Sequence, residues 1–498
     1  MRLRAAIPGI AAIAALTWNV CAVESEGVEP VNNPRSKQFD STWESLNSRS
    51  CPKWFPEAKL GIFIHWGVTS VPAYNAKGFY AEWYWNHWKN DIADGAVRKF
   101  HEKNYGKNFS YQEFAPMFKA ELFDPNEWAQ LFKDSGARYV CLVSKHHDGF
   151  CLWPAPDSWN WNSVDLGPKR DLCGDLAEAV RAKGLRMAFY YSLPEWYNPL
   201  YENDINKYVD QHMLPQLKDL VTRYQPAMIF GDGEWYHKWQ TWRSNEFLAW
   251  LYNEGPNPDE VVVNDRWGPG YGKCGDYYTT EYHRGASIDE ESSHPWVETR
   301  GIGKSFGYNR NENIHDYMDR TECVRMLIDA ASRGGGLLLN VGPTSDGRIP
   351  VIQQDRLLAI GKWLEVNGEA IYATTRGPYG ALLPWGRSTV KGDTLYLHVY
   401  DWPEDNALGI PGLRNEVLEA RLLADKKGPP LSAKRLNGGD LQIDLLGRHP
   451  SPHTTVIALK LDGPPNVDKN VLAELEEQQK KKDEKKPAET SHDKGAEE

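Results

Sequence analysis

The segment SKHHDGF, residues 144–150, sets His146 and His147 side by side where an apolar run ends. Neighbours on a strand face opposite ways, so both histidines serve one opening only if the strand has just ended. The same arrangement recurs along the chain. His65 and Trp66 follow GIFI, Tyr190 and Tyr191 close MAFYY, and Asp232 and Glu234 follow MIFG. Asp265 and Arg266 follow VVVN, Glu281 follows YYTT, and Phe306 and Tyr308 lie in SFGYN. One such residue is ordinarily a turn or cap residue. Polar and aromatic side chains at nearly every run's end point instead to a shared pocket. Within it, Asp232 and Glu281 suit the carboxylate pair of a glycosidase, one attacking or activating water and the other protonating the leaving oxygen. Histidines with carboxylates also suit a metal, and a metal-dependent hydrolase using His146 and His147 is a rival reading. No His-x-His or His-Glu-x-x-His spacing supports it, and no metal or cofactor is expected. The 21 tryptophans fit a ligand with apolar faces and many hydroxyls, as a sugar has.

Two short motifs mislead. GKSFG, residues 303–307, matches Gly-x-Ser-x-Gly, but the polar YNRNENIHDY follows where a nucleophile elbow needs an apolar helix. GIGKS resembles part of a phosphate loop, yet Glu298 stands where the first glycine belongs.

The elements that would position these residues alternate. Strand-like runs are KLGIFIHWG, ARYVCLVSKHH, LRMAFYYS, PAMIFGDGEW, VVVNDRWG, DYYTTEY, SFGYN and GGLLLNVGP. Amphipathic helices lie between several of them. DPNEWAQLFKDSG has Asp124 as cap, Pro125 in the first turn and Gly136 as stop. DLCGDLAEAVRAKG repeats the plan, with Leu172, Leu176, Ala179 and Val180 on one stripe. This alternation predicts a parallel sheet, and the number of runs predicts an irregular (β/α)₈ barrel over residues 37–375, with its chemistry at the C-terminal strand ends. Residues 376–465 read as short strands with Gly, Pro and Asp turns, predicting a C-terminal antiparallel β-sandwich. Residues 466–498, rich in Lys and Glu, read as a charged disordered tail.

The 498 residues suffice for such a plan, and the net charge of −11 argues against nucleic-acid binding. Residues 1–22 have the basic start, short apolar stretch and small-residue end of a signal peptide, so an exported protein is expected. No later stretch is long and apolar enough to span a bilayer, so no membrane partner is expected. Seven scattered cysteines contain no Cys-x-x-Cys pair.

Longer stretches carry a resemblance. GIFIHWGVTSVPAY, AEWYWNHW, YQEFAPMFKAELFDPNEWAQLFKDSGARYVCLVSKHHDGFCLWP, GPKRDLCGDLAEAVRAKGLRMAFYYS, VVVNDRWG, TTEY, TRGIGKSFGYNRNE, GGLLLNVGPTSDGRIP and LLAIGKWLEVNGEAIY together resemble the α-L-fucosidases of glycoside hydrolase family 29. The resemblance covers roughly residues 37–375 in the family's order. It implies a barrel followed by a β-sandwich, and a retaining exo-hydrolase that removes terminal α-L-fucose from an oligosaccharide or glycoconjugate. By this similarity Asp232 takes the nucleophile position. His65, Glu82, Trp83, His146, His147, Tyr190, Arg266 and Phe306 fall where the family holds fucose. Glu281 and Glu298 both match acid/base positions used or proposed in relatives. Glu281 is preferred because it ends a strand, whereas Glu298 reads as part of a long loop. The chain departs from the family at Phe230, where Trp is frequent, which removes an indole N–H near the nucleophile. A fucose-binding, lectin-like protein is the alternative from another class, and the presence of Asp232 and both acid candidates opposes it.

Overall fold

The computed structural model describes residues 38–282, 294–448 and 450–483. The expected signal peptide therefore lies outside the described residues. Eight parallel strands curl into one sheet: β1 (Leu60–Ile64), β2 (Tyr139–Lys145), β3 (Arg186–Ser192), β4 (Met228–Asp232), β5 (Val262–Val263), β6 (Tyr278–Glu281), β7 (Trp296–Gly301) and β8 (Gly336–Val341). Their order is β5-β4-β3-β2-β1-β8-β7-β6. The result is the expected (β/α)₈-like barrel, irregular in that no ladder joins β5 to β6 among the described residues. There Asp265 accepts from the Thr279 N–H and hydroxyl at 3.1 and 2.8 Å, and Asp276 accepts from the Val263 N–H at 2.9 Å.

One strand differs from the expectation. SFGYN is irregular, and the sequence WVETRG forms β7 instead. Its register with β6 pairs Thr279 with Val297, Thr280 with Glu298 and Glu281 with Thr299. Val297 faces the barrel interior with Phe63, Cys141, Ala188, Met228 and Val262. Glu298, one residue on, faces the other side. Charged residues on that outer side give the run its loop-like composition. Glu298 is thus a strand residue, not a loop residue.

The helices form as their caps require. In the helix Pro125–Asp134 the Asp124 carboxylate takes the N–H groups of Asn126 and Glu127 at 2.8 and 3.2 Å. In Leu172–Ala182 the Asp171 side chain takes that of Gly174 at 2.8 Å. Each packs its apolar stripe on the outside of the barrel, in one core that includes Trp128, Phe132, Leu172 and Leu176.

Beyond the barrel come β9 (Thr375–Arg376), β10 (Gly386–Lys391), β11 (Thr394–Val399), β12 (Ala407–Ile410), β13 (Val417–Leu422), β14 (Ser432–Arg435), β15 (Leu441–Asp444) and β16 (Thr455–Leu461). They form antiparallel sheets in the orders β13-β16-β11-β10-β9 and β12-β15-β14. Leu395, Leu397 and Leu459 of one meet Leu408, Ile410 and Ile443 of the other in a common core. Part of the expected disordered tail is ordered: Lys469–Asp483 is a helix whose Leu472 and Leu475 pack on that core. Their three-residue spacing makes one apolar edge in an otherwise charged segment, which composition alone hides. Among the described residues no helix is long and apolar enough to cross a membrane.

Candidate active site

The inward residues of β4 are Met228, Phe230 and Asp232, so the strand passes from packing to chemistry at its last residue. Gly233 follows with φ 83°, and a Cβ there would meet Pro194 Cδ at 2.3 Å. Only glycine turns the chain at once into residues 234–236. The Asp232 carboxylate accepts from the Tyr190 hydroxyl at 2.7 Å and from Arg266 Nη1 at 2.8 Å. Arg266 is buried, and its Nη2 donates to Glu281 Oε2 at 3.0 Å while its Nε donates to Thr279 at 3.1 Å. The other Glu281 oxygen accepts from the Tyr80 hydroxyl at 3.0 Å. One guanidinium thus bridges two carboxylates from different strands at the barrel mouth. Glu298 is not brought to them; buried on the outer side of β7, it accepts from the Thr280 hydroxyl.

Two of the histidines have fixed tautomers. The Ser192 hydroxyl donates to the Pro194 carbonyl at 2.7 Å, so its contact with His147 Nδ1, also 2.7 Å, requires that nitrogen to donate. His147 Nε2 then carries the lone pair, 3.7 Å from Asp232 Oδ2. The Asn340 amide donates to the Phe306 carbonyl at 2.6 Å, which leaves its oxygen to accept from His65 Nδ1 at 2.7 Å. His65 Nε2 is likewise left as an acceptor. Burial holds both rings neutral, His65 down to about 4 and His147 down to about 3, the latter aided by repulsion from His65, Lys145 and Arg266. Burial also drives His146 well below the usual histidine value. Its ring lies nearly parallel to Tyr190 at 5.7 Å, and its Nδ1 has no hydrogen-bond partner among the described residues. Since β2 ends at Lys145, both histidines stand beyond the strand and share the mouth.

The remaining candidates complete one cluster. Phe306 stacks on His65 at 4.9 Å, and Trp83 meets His147 edge-on at 5.4 Å. Glu82 is buried and accepts from the Gly307 N–H at 2.8 Å, with the Ser305 hydroxyl, which donates to the Gly307 carbonyl at 2.8 Å, lying 3.3 Å away. Burial raises its carboxyl to about 7 against the Gly307 N–H bond. Ser305 of the elbow-like motif therefore braces the backbone around Glu82, donating to the Gly307 carbonyl and accepting from the Ala81 N–H at 2.8 Å each. Sequence reasoning passed over Tyr80, Ser192 and Asn340. Asn340 alone carried a signal, as the amide at the end of the apolar run GLLLN. Among the described residues no group of three or more His, Cys, Asp or Glu could hold a metal ion.

A parallel barrel with bridged carboxylates, neutral histidines and aromatic rings at its mouth has the layout of a glycoside hydrolase. Residues 28–369 match the family described as Alpha-L-fucosidase. The chain is 43% identical over 409 residues to the alpha-L-fucosidase of Dictyostelium discoideum, covering 80% of this chain and 88% of that one. It is 43% identical over 406 residues to the tissue alpha-L-fucosidase of Homo sapiens, covering 78% and 83% respectively. A crystal structure of the Thermotoga maritima alpha-fucosidase in complex with a mechanism-based inhibitor superposes with a TM-score of 0.72 at 37% identity, covering 85% of this chain and all of that one. The chain belongs to the α-L-fucosidase family, glycoside hydrolase family 29, and is a glycoside hydrolase.

Proposed function

We propose that the enzyme is a retaining exo-α-L-fucosidase that releases terminal α-L-fucose from fucosylated glycans by double displacement. The observation that carries the reading is the Arg266 bridge, which holds Asp232 and Glu281 together on the inward side of the mouth. In the first step an Asp232 oxygen bonds to the anomeric carbon, the bond to the leaving oxygen breaks, and Glu281 gives that oxygen its proton. In the second, Glu281 takes a proton from water, the water oxygen bonds to the same carbon, and Asp232 leaves. Tyr190 and Arg266 hold the attacking carboxylate. His65 and His147 accept sugar hydroxyls through Nε2, while Glu82 and His146 supply further polar contacts. Phe306 and Trp83 offer apolar faces, Phe306 suiting the C6 methyl of fucose. Two things support Glu281 over Glu298 as acid/base: its shared arginine with Asp232, and the outward side that Glu298 occupies.

Export is part of the proposal. The first 22 residues have signal-peptide character, and relatives include proteins named tissue and plasma alpha-L-fucosidase. The test of the function is stereochemical. With an aryl α-L-fucoside, NMR should detect α-fucose as first product, whereas β-fucose as first product, or binding of fucose without turnover, overturns it.

A further inference from the structure

A groove of about 550 Å³ opens beside the carboxylates, and three large aromatic side chains stand exposed in its walls. Trp235 is 46% exposed, Tyr236 39% and Tyr271 60%. Exposed aromatic rings in one concave place are uncommon in a chain that buries most of its rings. Both walls are built. Residues 234–236 form a 3₁₀ turn directly after the Asp232–Gly233 bend, and Trp242 Nε1 pins it by donating to the Glu234 carbonyl at 3.0 Å. The opposite wall, carrying Tyr271, is pinned where the Gly272 N–H donates to Asp265 at 2.9 Å, the carboxylate that also holds Thr279.

The groove connects to the chemistry through its rings. Trp235 meets His147 edge-on at 5.8 Å, and the Arg266 guanidinium lies 5.5 Å from the Tyr271 ring centre. Both partners contact Asp232. Glu234 lines the groove from its buried side, and its Oε2 has no hydrogen-bond partner among the described residues. Lys238 and Thr241 add polar groups to the lining. Aromatic faces with interspersed donors and acceptors suit a pyranose ring, and the volume falls within the roughly 300–1,000 Å³ of ligand sites.

We propose that this groove is the leaving-group subsite: Trp235 and Tyr271 stack on the sugar from which fucose is cut, and Glu234 hydrogen-bonds one of its hydroxyls. The inference rests on the fucosidase reading and adds to it the residues that select the glycan. Burial, and then the charge of Asp232, raise the Glu234 carboxyl above the usual carboxylate range, so it keeps a proton to donate.

Substrates with and without a leaving sugar separate the roles. The probes are α-L-fucosyl fluoride, which has no leaving ring, and fucosyl disaccharides with α-1,2-galactose, α-1,3-N-acetylglucosamine or α-1,6-N-acetylglucosamine as the second unit. For the disaccharide the wild type prefers, Trp235→Ala and Tyr271→Ala should each lower kcat/KM by about tenfold or more, with fluoride changed less than about threefold. Thr241→Trp, which fills the groove and leaves both aromatic rings in place, should act in the same direction. Equal losses on fluoride and disaccharide, or no loss on the disaccharide with the filled groove, overturn the subsite. Failure of the wild type to hydrolyse the fluoride overturns the fucosidase reading instead.

Discussion

The two ends of the barrel are built from the same strands and do opposite things. At the N-terminal end the inward residues are Tyr139, Ala188, Met228, Val262 and Val297, closed off by Phe55 and Tyr277. Two to four residues further along, the inward positions become His65, Ser192, Asp232 and Glu281. The apolar end supplies packing that tolerates no gap. The mouth holds ionisable groups that cost stability unless paired, and it pairs them through Arg266, Tyr190, Ser192 and Asn340. The difference teaches that the geometry of the proposed active site is held by hydrogen bonds standing on a packed floor.

The sharpest break in this symmetry is a pair of substitutions on β4. Asp232→Gly should lower kcat on an aryl fucoside by at least about three orders of magnitude, with azide restoring part of it, while the protein still folds and unfolds cooperatively in urea. Met228→Ala should do the reverse, costing about 2–5 kcal/mol of stability with kcat nearly intact. Activity within tenfold of wild type in Asp232→Gly would remove the proposed nucleophile. Next comes the bridge. Arg266→Lys replaces a planar fork by a point charge and should lower kcat/KM about a hundredfold, because one ammonium cannot hold both carboxylates in the fork's geometry. A loss below threefold would mean that the bridge is dispensable.

The carboxylates on the two sides of β6 and β7 give a smaller contrast. Glu281→Ala should slow glycans with poor leaving groups much more than aryl fucosides with good ones, since only the former need the proton. Glu298→Gln should show no such dependence on leaving group. If it does and Glu281→Ala does not, the acid/base role passes to Glu298.

The smallest expected effect is on pH dependence. His65 and His147 are depressed to about 4 and about 3 by burial, against about 6.5 in the unfolded chain. Their neutral forms belong to the folded state, so this contribution is complete above about pH 6.5 and is lost as pH falls through about 4. Glu82, raised to about 7, acts the other way: its contribution is present below the unfolded carboxylate value and is lost as pH rises through about 7. Melting temperatures measured from pH 7.5 to 4 should fall less steeply in His65→Asn and more steeply in Glu82→Gln. Equal slopes in all three proteins would remove the buried-charge account of the mouth.

Much of this was legible in the chain. Seven of the eight barrel strands announce themselves as apolar runs, and the polar residues that end them mark the mouth. The strand Trp296–Gly301 was hidden because its outer side carries Glu298 and Arg300, so it lacks the apolar run of a buried strand. That omission made Glu298 look like a loop residue. The tail helix escaped for a related reason: two leucines among many charges set an edge that only their spacing reveals. The pairings at the mouth could not be read. Asn340 ends an apolar run, but its meeting with His65, like that of Ser192 with His147 and of Tyr80 with Glu281, comes through the fold from strands and loops far apart in the chain.

The gap between β5 and β6 has a mechanical consequence. Arg266 follows one of its edges and Glu281 ends the other, yet apart from one peptide bond, the Asp276 N–H to the Val263 carbonyl at 2.9 Å, the edges are stitched by the carboxylates of Asp265 and Asp276 where a ladder would otherwise run. Side-chain stitches bend more easily than rows of peptide hydrogen bonds. The spacing between Asp232 and Glu281, the proposed attacking and protonating groups, is therefore set across the most compliant joint of the sheet. Such a joint is also the first place to breathe: amide hydrogens of residues 262–263 and 278–281 should exchange faster than those of β1, which has a paired neighbour on each side.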